Sequence, residues 1–387
     1  MTDARPEVAD VIVIGGGIAG AGAAFELAKT LRVVLLERED RCGYHSTGRS
    51  AASFTENYGT GVIRRLVLAS RDFLTAPPEN FSAYPILGPR GMITVARADQ
   101  ADLIEAELVR ARALVPSITA MSVDAAIARI PVLRRDYVAH AIYEPHSMDV
   151  DVHSLHEGFL RGARKAGARI VTNAPVTAIG RDGADWRVET GAGSYRAARV
   201  VNAAGAWADE IATMAGVAPV GLVPKRRTAF NIPGPAGMDF QDWPLLNDVG
   251  AEFYFKVTGG QIMVSPADET PSPPMDAWPD DMDVAIGAHR LEQATTLQVS
   301  RVAHSWAGLR TFAADGSPVV GEAPDAGGFF WLAGQGGYGI KTSPALSRLC
   351  AAQVRAEPFP DDLTVLGLSA GDLSPRRFQP RDPTLQQ

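Results

Sequence analysis

Residues 10–37 read DVIVIGGGIAGAGAAFELAKTLRVVLLE. Asp10–Ile14 is a short continuous apolar run, the pattern of a strand buried on both faces of a parallel sheet. GGGIAG follows, then AGAAFELAKT, rich in good helix formers. Val33–Glu37 is a second apolar run that ends in an acid. Strand, glycine-rich turn, helix, strand, acid is the order of a mononucleotide-binding half of a doubly wound α/β fold. Gly15, Gly17 and Gly20 stand at G-x-G-x-x-G spacing. The first allows the tight turn, the second lets a pyrophosphate approach the backbone, and the third lets the helix pack on the sheet. The helix N-terminus offers N–H groups and a partial positive charge to phosphate, and Ile18 and Ala19 of the motif join the glycines as cofactor-binding candidates. Glu37 lies where such folds place the acid for a ribose hydroxyl pair, followed here by Arg38. A bare glycine pattern also occurs at ordinary tight turns; the whole context reads as a dinucleotide site.

The motif alone separates NAD from FAD poorly. The loop behind it, GYHSTGRSAASFTENYG at 43–59, has neither helical nor strand periodicity. It is small and polar around a single Arg49. Its place directly after an N-terminal dinucleotide motif suggests FAD, whose isoalloxazine needs a long, close-fitting backbone trough.

Length and composition limit the rest. At 387 residues the chain exceeds the size of a usual single core, so two lobes are expected. A net charge of −7 without any Lys/Arg run argues against a nucleic-acid surface. Two cysteines far apart, Cys42 and Cys350, are no disulfide framework and fit a reducing compartment. The most apolar stretch, Val11–Ala28, is interrupted by glycines and contains Glu26, so no membrane span is expected. Glu7 and Asp10 stand where a signal peptide would be basic. The expectation is a cytoplasmic protein.

Helices are expected at Gly61–Ala76, Asp99–Leu114, Ser122–Ile130 and Val152–Ala166. Strands are expected at Met92–Val95, His140–Tyr143, Ala168–Thr172, Trp186–Thr190, Ser194–Ala197 and Arg199–Ala203. The order fits an α/β, two-lobed chain: a Rossmann-type nucleotide domain with an inserted mixed-sheet substrate domain. The nucleotide domain takes 1–79, 146–222 and 306–387, the substrate domain 80–145 and 223–305. The Pro- and Asp-rich segment 266–283 reads as a surface excursion, and the chain after Pro375 as a frayed tail. A second glycine-rich loop, GQGGYGIKTSPALSRLCAAQ at 334–353, precedes a helix with Thr342 or Ser343 as N-cap and Pro344 in its first turn. That helix start, with Lys341 adding charge, would suit the anionic N1–C2=O edge of a reduced flavin. His153 and His156 have a spacing that could bind metal, but a solvated helix face is the reading adopted, with no metal site.

DVIVIGGGIAG, LLER, GYHSTGRSAA, VVNAAGAWAD, PKRRTAF, WAGLRTF, DGSPVVG and GQGGYGIKTS occur in this order. Together they resemble the FAD-dependent D-amino-acid oxidase/glycine oxidase superfamily, and within it the bacterial D-arginine (D-amino-acid) dehydrogenases. The resemblance implies that His45, Ser46, Thr47, Arg49, Ser50 and Ala51 contact non-covalent FAD. It implies the same for Val176, for Ala204, Gly205 and Trp207 of NAAGAW, and for Gly336, Gly337, Tyr338, Gly339, Ile340, Lys341 and Thr342. SFTENYG would be a mobile loop over the substrate with Tyr58 as its gate. Arg227 and Arg310 match the pair that grips the substrate carboxylate, a role suited to a planar guanidinium. Arg310 would also touch the cofactor. Tyr254 matches a tyrosine over the substrate, and Gly337 a carbonyl that accepts from its amine.

The resemblance thus implies oxidative deamination of D-amino acids to 2-oxo acid and ammonia, by hydride transfer to flavin N5. The electron acceptor, whether quinone, dye or O2, stays open. Three positions depart from the D-arginine enzymes. Gly91 stands where they carry an acid for the substrate guanidinium, Ser53 where they carry a histidine, and Lys341 where they carry a glutamine. Without that acid an unpaired guanidinium in a closed pocket is costly, so neutral or apolar D-amino acids are expected over D-arginine, unless Glu56 replaces the acid. Lys341 also completes the G-x-G-x-K of sarcosine oxidases, which keeps an N-methyl-amino-acid (sarcosine/glycine-type) oxidase as an alternative. A 2-hydroxy-acid dehydrogenase of the same superfamily is another, and a flavoprotein without amino-acid turnover a third.

Overall fold

The computed structural model describes residues 5–378. The strand Glu7–Ile14 lies in the middle of an eight-stranded sheet, parallel to Val33–Leu36 on one side and to Gly193–Asn202 on the other. Arg169–Val171 extends one edge. Gly193–Asn202 is one long strand where the sequence suggests two. Its first half pairs antiparallel with Asp185–Thr190, and its last residues pair parallel with Phe329–Ala333. The parallel strands are buried throughout, as their unbroken Val/Ile/Leu composition requires. Ile18–Leu27, Val152–Lys165 and Gly339–Val354 cover the sheet. The approach at the first turn is close: a Cβ on Gly20 would lie 1.8 Å from the Gly15 carbonyl oxygen, so only hydrogen fits there.

A second, nine-stranded sheet forms the other lobe. Its order runs Thr270–Pro271, Val223–Pro233, Gln261–Ser265, Tyr254–Thr258, Leu245–Asp248, Met92–Ala96, His140–Glu144, Thr119–Met121. Only the pair Leu245–Asp248/Met92–Ala96 is parallel, so the sheet is mixed. His304–Phe312 also joins it, antiparallel to Val223–Pro233 over its whole length. This strand runs past the expected boundary at 305, so Arg310 stands on the substrate-side sheet.

Several expectations are corrected. Segment 266–283 is not a free excursion, because Ala277 is buried and Asp276 ties it to Arg49. It leads into a helix, Asp281–Ala294, that the Pro/Asp composition conceals. Pro375–Phe378 is docked by the Arg377–Asp315 ion pair; the remainder of the expected tail, 379–387, lies outside the described residues. The C-terminal helix begins at Gly339, three residues before the expected caps, with Tyr338 as N-cap. Pro344 therefore sits inside it and has no N–H for the Ile340 carbonyl. Ser343 supplies the missing donor, its Oγ lying 2.9 Å from Ile340 O, and Thr342 Oγ1 donates to Tyr338 O. Both hydroxyls are thus internal helix donors.

Replacing Ser343 by Ala leaves the buried Ile340 carbonyl without its hydroxyl donor. S343A is expected to lower stability by about 1–3 kcal/mol, read as a lower urea midpoint with FAD saturating.

Candidate active site

A cleft runs between the end of the parallel strands and the nine-stranded sheet. Its floor is the turn at Gly15 and Gly17 with Ile18 and Ala19. Three side chains from distant segments brace this turn. Glu37 Oε2 accepts from Gly16 N at 2.8 Å, and Thr47 Oγ1 accepts from Ile18 N at 3.0 Å. His156 Nε2 lies 2.9 Å from the Gly16 carbonyl, so that nitrogen carries the proton and donates. Burial holds the His156 pKa below its ordinary value, which favours this neutral ring. His156 is therefore neither solvated, as its amphipathic helix suggests, nor a metal ligand. Among the described residues no group of His, Cys, Asp and Glu is placed to hold a metal ion, and no helix is long and apolar enough to cross a membrane.

Glu37 is buried and lines the cleft, but its Oε1 also accepts from Glu39 N. Each carboxylate oxygen keeps a further lone pair for a ribose hydroxyl. Arg38 and His45 flank the Trp207 ring, at 4.9 Å and 4.7 Å from its centroid, forming one wall with Ala204, Gly205 and Val176. Ser46, Thr47, Arg49, Ser50 and Ala51 pass along the other wall, and Gly336, Gly337, Gly339 and Ile340 close the far end. The Arg49 guanidinium does not point at the cleft alone. It donates to the carbonyls of Ala277 and Ala307 and to Asp276, and so clamps the strap 276–277 over the loop. The Cys42 thiol is pushed up to about 12 by burial and then by Glu37, and is inert at neutral pH.

The described residues fit FAD. Bare backbone at two glycine-rich turns, a helix start and a ribose-side acid lie along one cleft, without a side chain closing the glycine turn.

Arg227, Tyr254 and Arg310 line the cleft together. In the register, Lys225 is opposite Arg310, and Arg227 is opposite Gly308. Opposite and alternate residues share a face, so the three cations point the same way. Burial raises the Tyr254 phenol, but the charges of Arg310 and Arg227 outweigh it and leave its pKa lowered. Burial likewise opposes the Arg310 charge, and the negative charges of Tyr254, Tyr58 and Tyr338 in their ionised forms, with that of Glu269, more than offset it. Arg310 packs against the Gly337 backbone. Among the described residues no carboxylate forms an ion pair with it.

Gly20, Ser53, Tyr58, Tyr338, Lys341 and Thr342 stand off the cleft. Gly20 packs under the turn. Ser53 sits in a short strand paired with Asp149. Tyr58 is exposed, its ring 5.2 Å from Tyr338. The loop around it is pinned: Phe54, Thr55, Glu56 and Asn57 are buried, and Asn57 donates to Glu107. Lys341 is buried and is not among the cleft-lining residues. Its Nζ donates to Thr55 O at 3.1 Å, under the Tyr58 ring, while Thr55 Oγ1 donates to Glu144. Burial lowers the Lys341 ammonium to about 7, with Glu144 working against that shift. Glu56 pairs with Arg71 and does not line the cleft. Gly91 is held by the Ser147 carbonyl at φ +71, and a Cβ there would meet the Tyr143 hydroxyl at 2.9 Å. His156, Asp276 and Glu269, which contacts Arg227, carry no local sequence signal. Only pairing across the fold brings them in.

The DAO family, described as FAD dependent oxidoreductase, matches residues 10–353, and the chain belongs to it. It is an FAD-dependent oxidoreductase. It is 27% identical to glycine oxidase of Geobacillus kaustophilus, over 93% of this chain and 96% of that one. The solved structure of that enzyme superposes with a TM-score of 0.80 at 25% identity, covering 91% of this chain and 96% of its own. FAD-dependent oxidoreductase domain-containing protein 1 of Xenopus laevis is 27% identical over 100% of this chain and 85% of its own length. Mitochondrial dimethylglycine dehydrogenase of Rattus norvegicus is 26% identical over 86% of this chain, which spans 41% of that enzyme.

Lys341 gives a pH dependence. Unfolded, it stays protonated to near 10.5; folded, only to about 7. Between these values unfolding takes up a proton, so stability rises with pH, by at most about 1.4 kcal/mol per unit from this group. The urea midpoint is expected to climb from pH 7 to 9, and K341M to lose part of that climb.

Proposed function

We propose that the protein oxidatively deaminates D-amino acids with neutral or apolar side chains, giving the 2-oxo acid and ammonia. The observation that carries this reading is Arg310, a guanidinium on the cleft wall beside Tyr254 with no carboxylate of the described residues paired to it. A desolvated guanidinium lacking an anion is costly, and its planar fork suits a carboxylate. Arg227 on the same face gives a second donor. Holding the carboxylate at one end orients a small substrate, which supplies much of the rate.

The chain needs no nucleophile of its own, because bound FAD supplies acceptance of two electrons and a hydrogen. The amino acid gives up its Cα hydrogen with those electrons and a proton from nitrogen. Water then hydrolyses the imino acid. The acids that could answer a cationic side chain are engaged elsewhere: Glu56 with Arg71, Glu144 with Thr55 and near Lys341. This supports neutral over cationic substrates. The D configuration rests on the resemblance of the motifs to those of the D-amino-acid dehydrogenases. A second reading, oxidation of N-methyl amino acids, is favoured by the G-x-G-x-K spacing ending at Lys341 and by the glycine oxidase and dimethylglycine dehydrogenase relatives.

The FAD-loaded protein is mixed without oxygen with D- and L-amino acids and N-methylglycine, and flavin bleaching is followed near ~450 nm. Neutral D-amino acids are expected to bleach it, with kcat/KM for D-leucine above that for D-arginine. The reverse order would remove the side-chain argument, and bleaching by N-methylglycine alone would promote the second reading. R310M is expected to lose about 100-fold or more in kcat/KM at equal FAD content, since one charged anchor is worth roughly 3 kcal/mol.

A further inference from the structure

Two of the three cations that share one sheet face, Lys225 and Arg227, meet one carboxylate. Glu269 Oε1 accepts from Arg227 Nη2 at 2.9 Å, and its Oε2 accepts from Lys225 Nζ at 3.1 Å. Glu269 is also near enough to Arg310 to favour its charged form. The backbone that carries it is anchored. Asp268 O accepts from Arg227 Nε, the Asp268 carboxylate accepts from Thr228 N and Oγ1, and Thr270–Pro271 pairs with Lys225–Arg226. The Glu269 side chain itself is 44% exposed, whereas that of Arg227 is 10% exposed. A partly exposed acid thus covers a nearly buried guanidinium from the solvent side.

We propose that Glu269 is a built-in competitor for the substrate carboxylate: by pairing with Arg227 it holds down the affinity of the cleft for carboxylates. This rests on the reading of Arg310 and Arg227 as the carboxylate site. The need for it follows from the chemistry. Substrate and 2-oxo acid product carry the same carboxylate, and three uncompensated cations would retain both. With Glu269 in place, Arg227 is shared between an internal and an incoming anion, and product leaves as Glu269 recovers its partner.

The test uses benzoate as a plain carboxylate and reads its dissociation constant from the change it causes in the visible spectrum of the FAD-loaded protein. E269Q keeps the size and exposure of the side chain and removes its charge. It is expected to bind benzoate about tenfold more tightly, as the loss of one competing ion pair implies. In the R227M background the same substitution is expected to change benzoate affinity less than about twofold, because the competition has lost its object. Weaker or unchanged binding by E269Q would overturn the proposal and make Glu269 a brace for Arg227. An equal gain in both backgrounds would also overturn it, in favour of a general charge effect. R310M tests the underlying reading separately. If it binds benzoate as well as the unaltered protein does, the carboxylate site itself is wrong and the proposal falls with it.

Discussion

The turn between the first strand and the first helix is the constraint on which the rest depends. Its glycines leave the backbone bare, so it cannot be stiffened by its own side chains. The stiffness comes instead from Glu37, Thr47 and His156, which hold Gly16 N, Ile18 N and Gly16 O. Each brace arrives from a different segment: the end of the second strand, the Ser/Thr loop, and the helix Val152–Lys165. The cofactor floor is therefore complete only when all three have docked. All three braces are buried polar groups, and each is satisfied by the turn that it holds.

The charge arrangement on the opposite wall follows from strand register. A shift of one residue between Val223–Pro233 and His304–Phe312 would turn Arg310 to the other face and take Lys225 and Arg227 out of line with it. In the observed register the cations converge, and their mutual repulsion is met by one partly exposed acid. Arg310 alone faces the cleft without an ion-pair partner among the described residues, which concentrates the pull on an anion at one point. The strap at 276–277 reinforces this geometry, since Arg49 joins it to Ala307 on the strand that carries Arg310.

Behind the cleft lies a second polar layer. Lys341, Thr55 and Glu144 occupy a buried wall under Tyr58 and Tyr338. The helix that carries Lys341 starts earlier than its Ser, Thr and Pro suggest. Pro344 is accommodated because Ser343 gives the orphaned carbonyl a donor. A local rule for helix starts was outweighed by the glycine loop, which delivers the chain to its helical path at Tyr338.

Much of the α/β core was legible in residues 10–37. Continuous apolar runs, glycine spacing and a following acid are local patterns, and each has a local cause in burial, turn geometry or helix polarity. The segments that line the cleft were legible for the same reason: Gly15, Thr47, Gly205 and Gly337 lie in short motifs that shape their own backbone. The sequence by itself thus determined a dinucleotide-type lobe, its cofactor class and the candidate cations. The tertiary structure alone decided which charges meet. His156 on Gly16, Asp276 on Arg49, Glu269 on Arg227 and the turning of Lys341 into the wall are contacts between segments far apart in the chain. Pairwise electrostatics depends on distance and burial in space, and neither quantity is carried by local spacing.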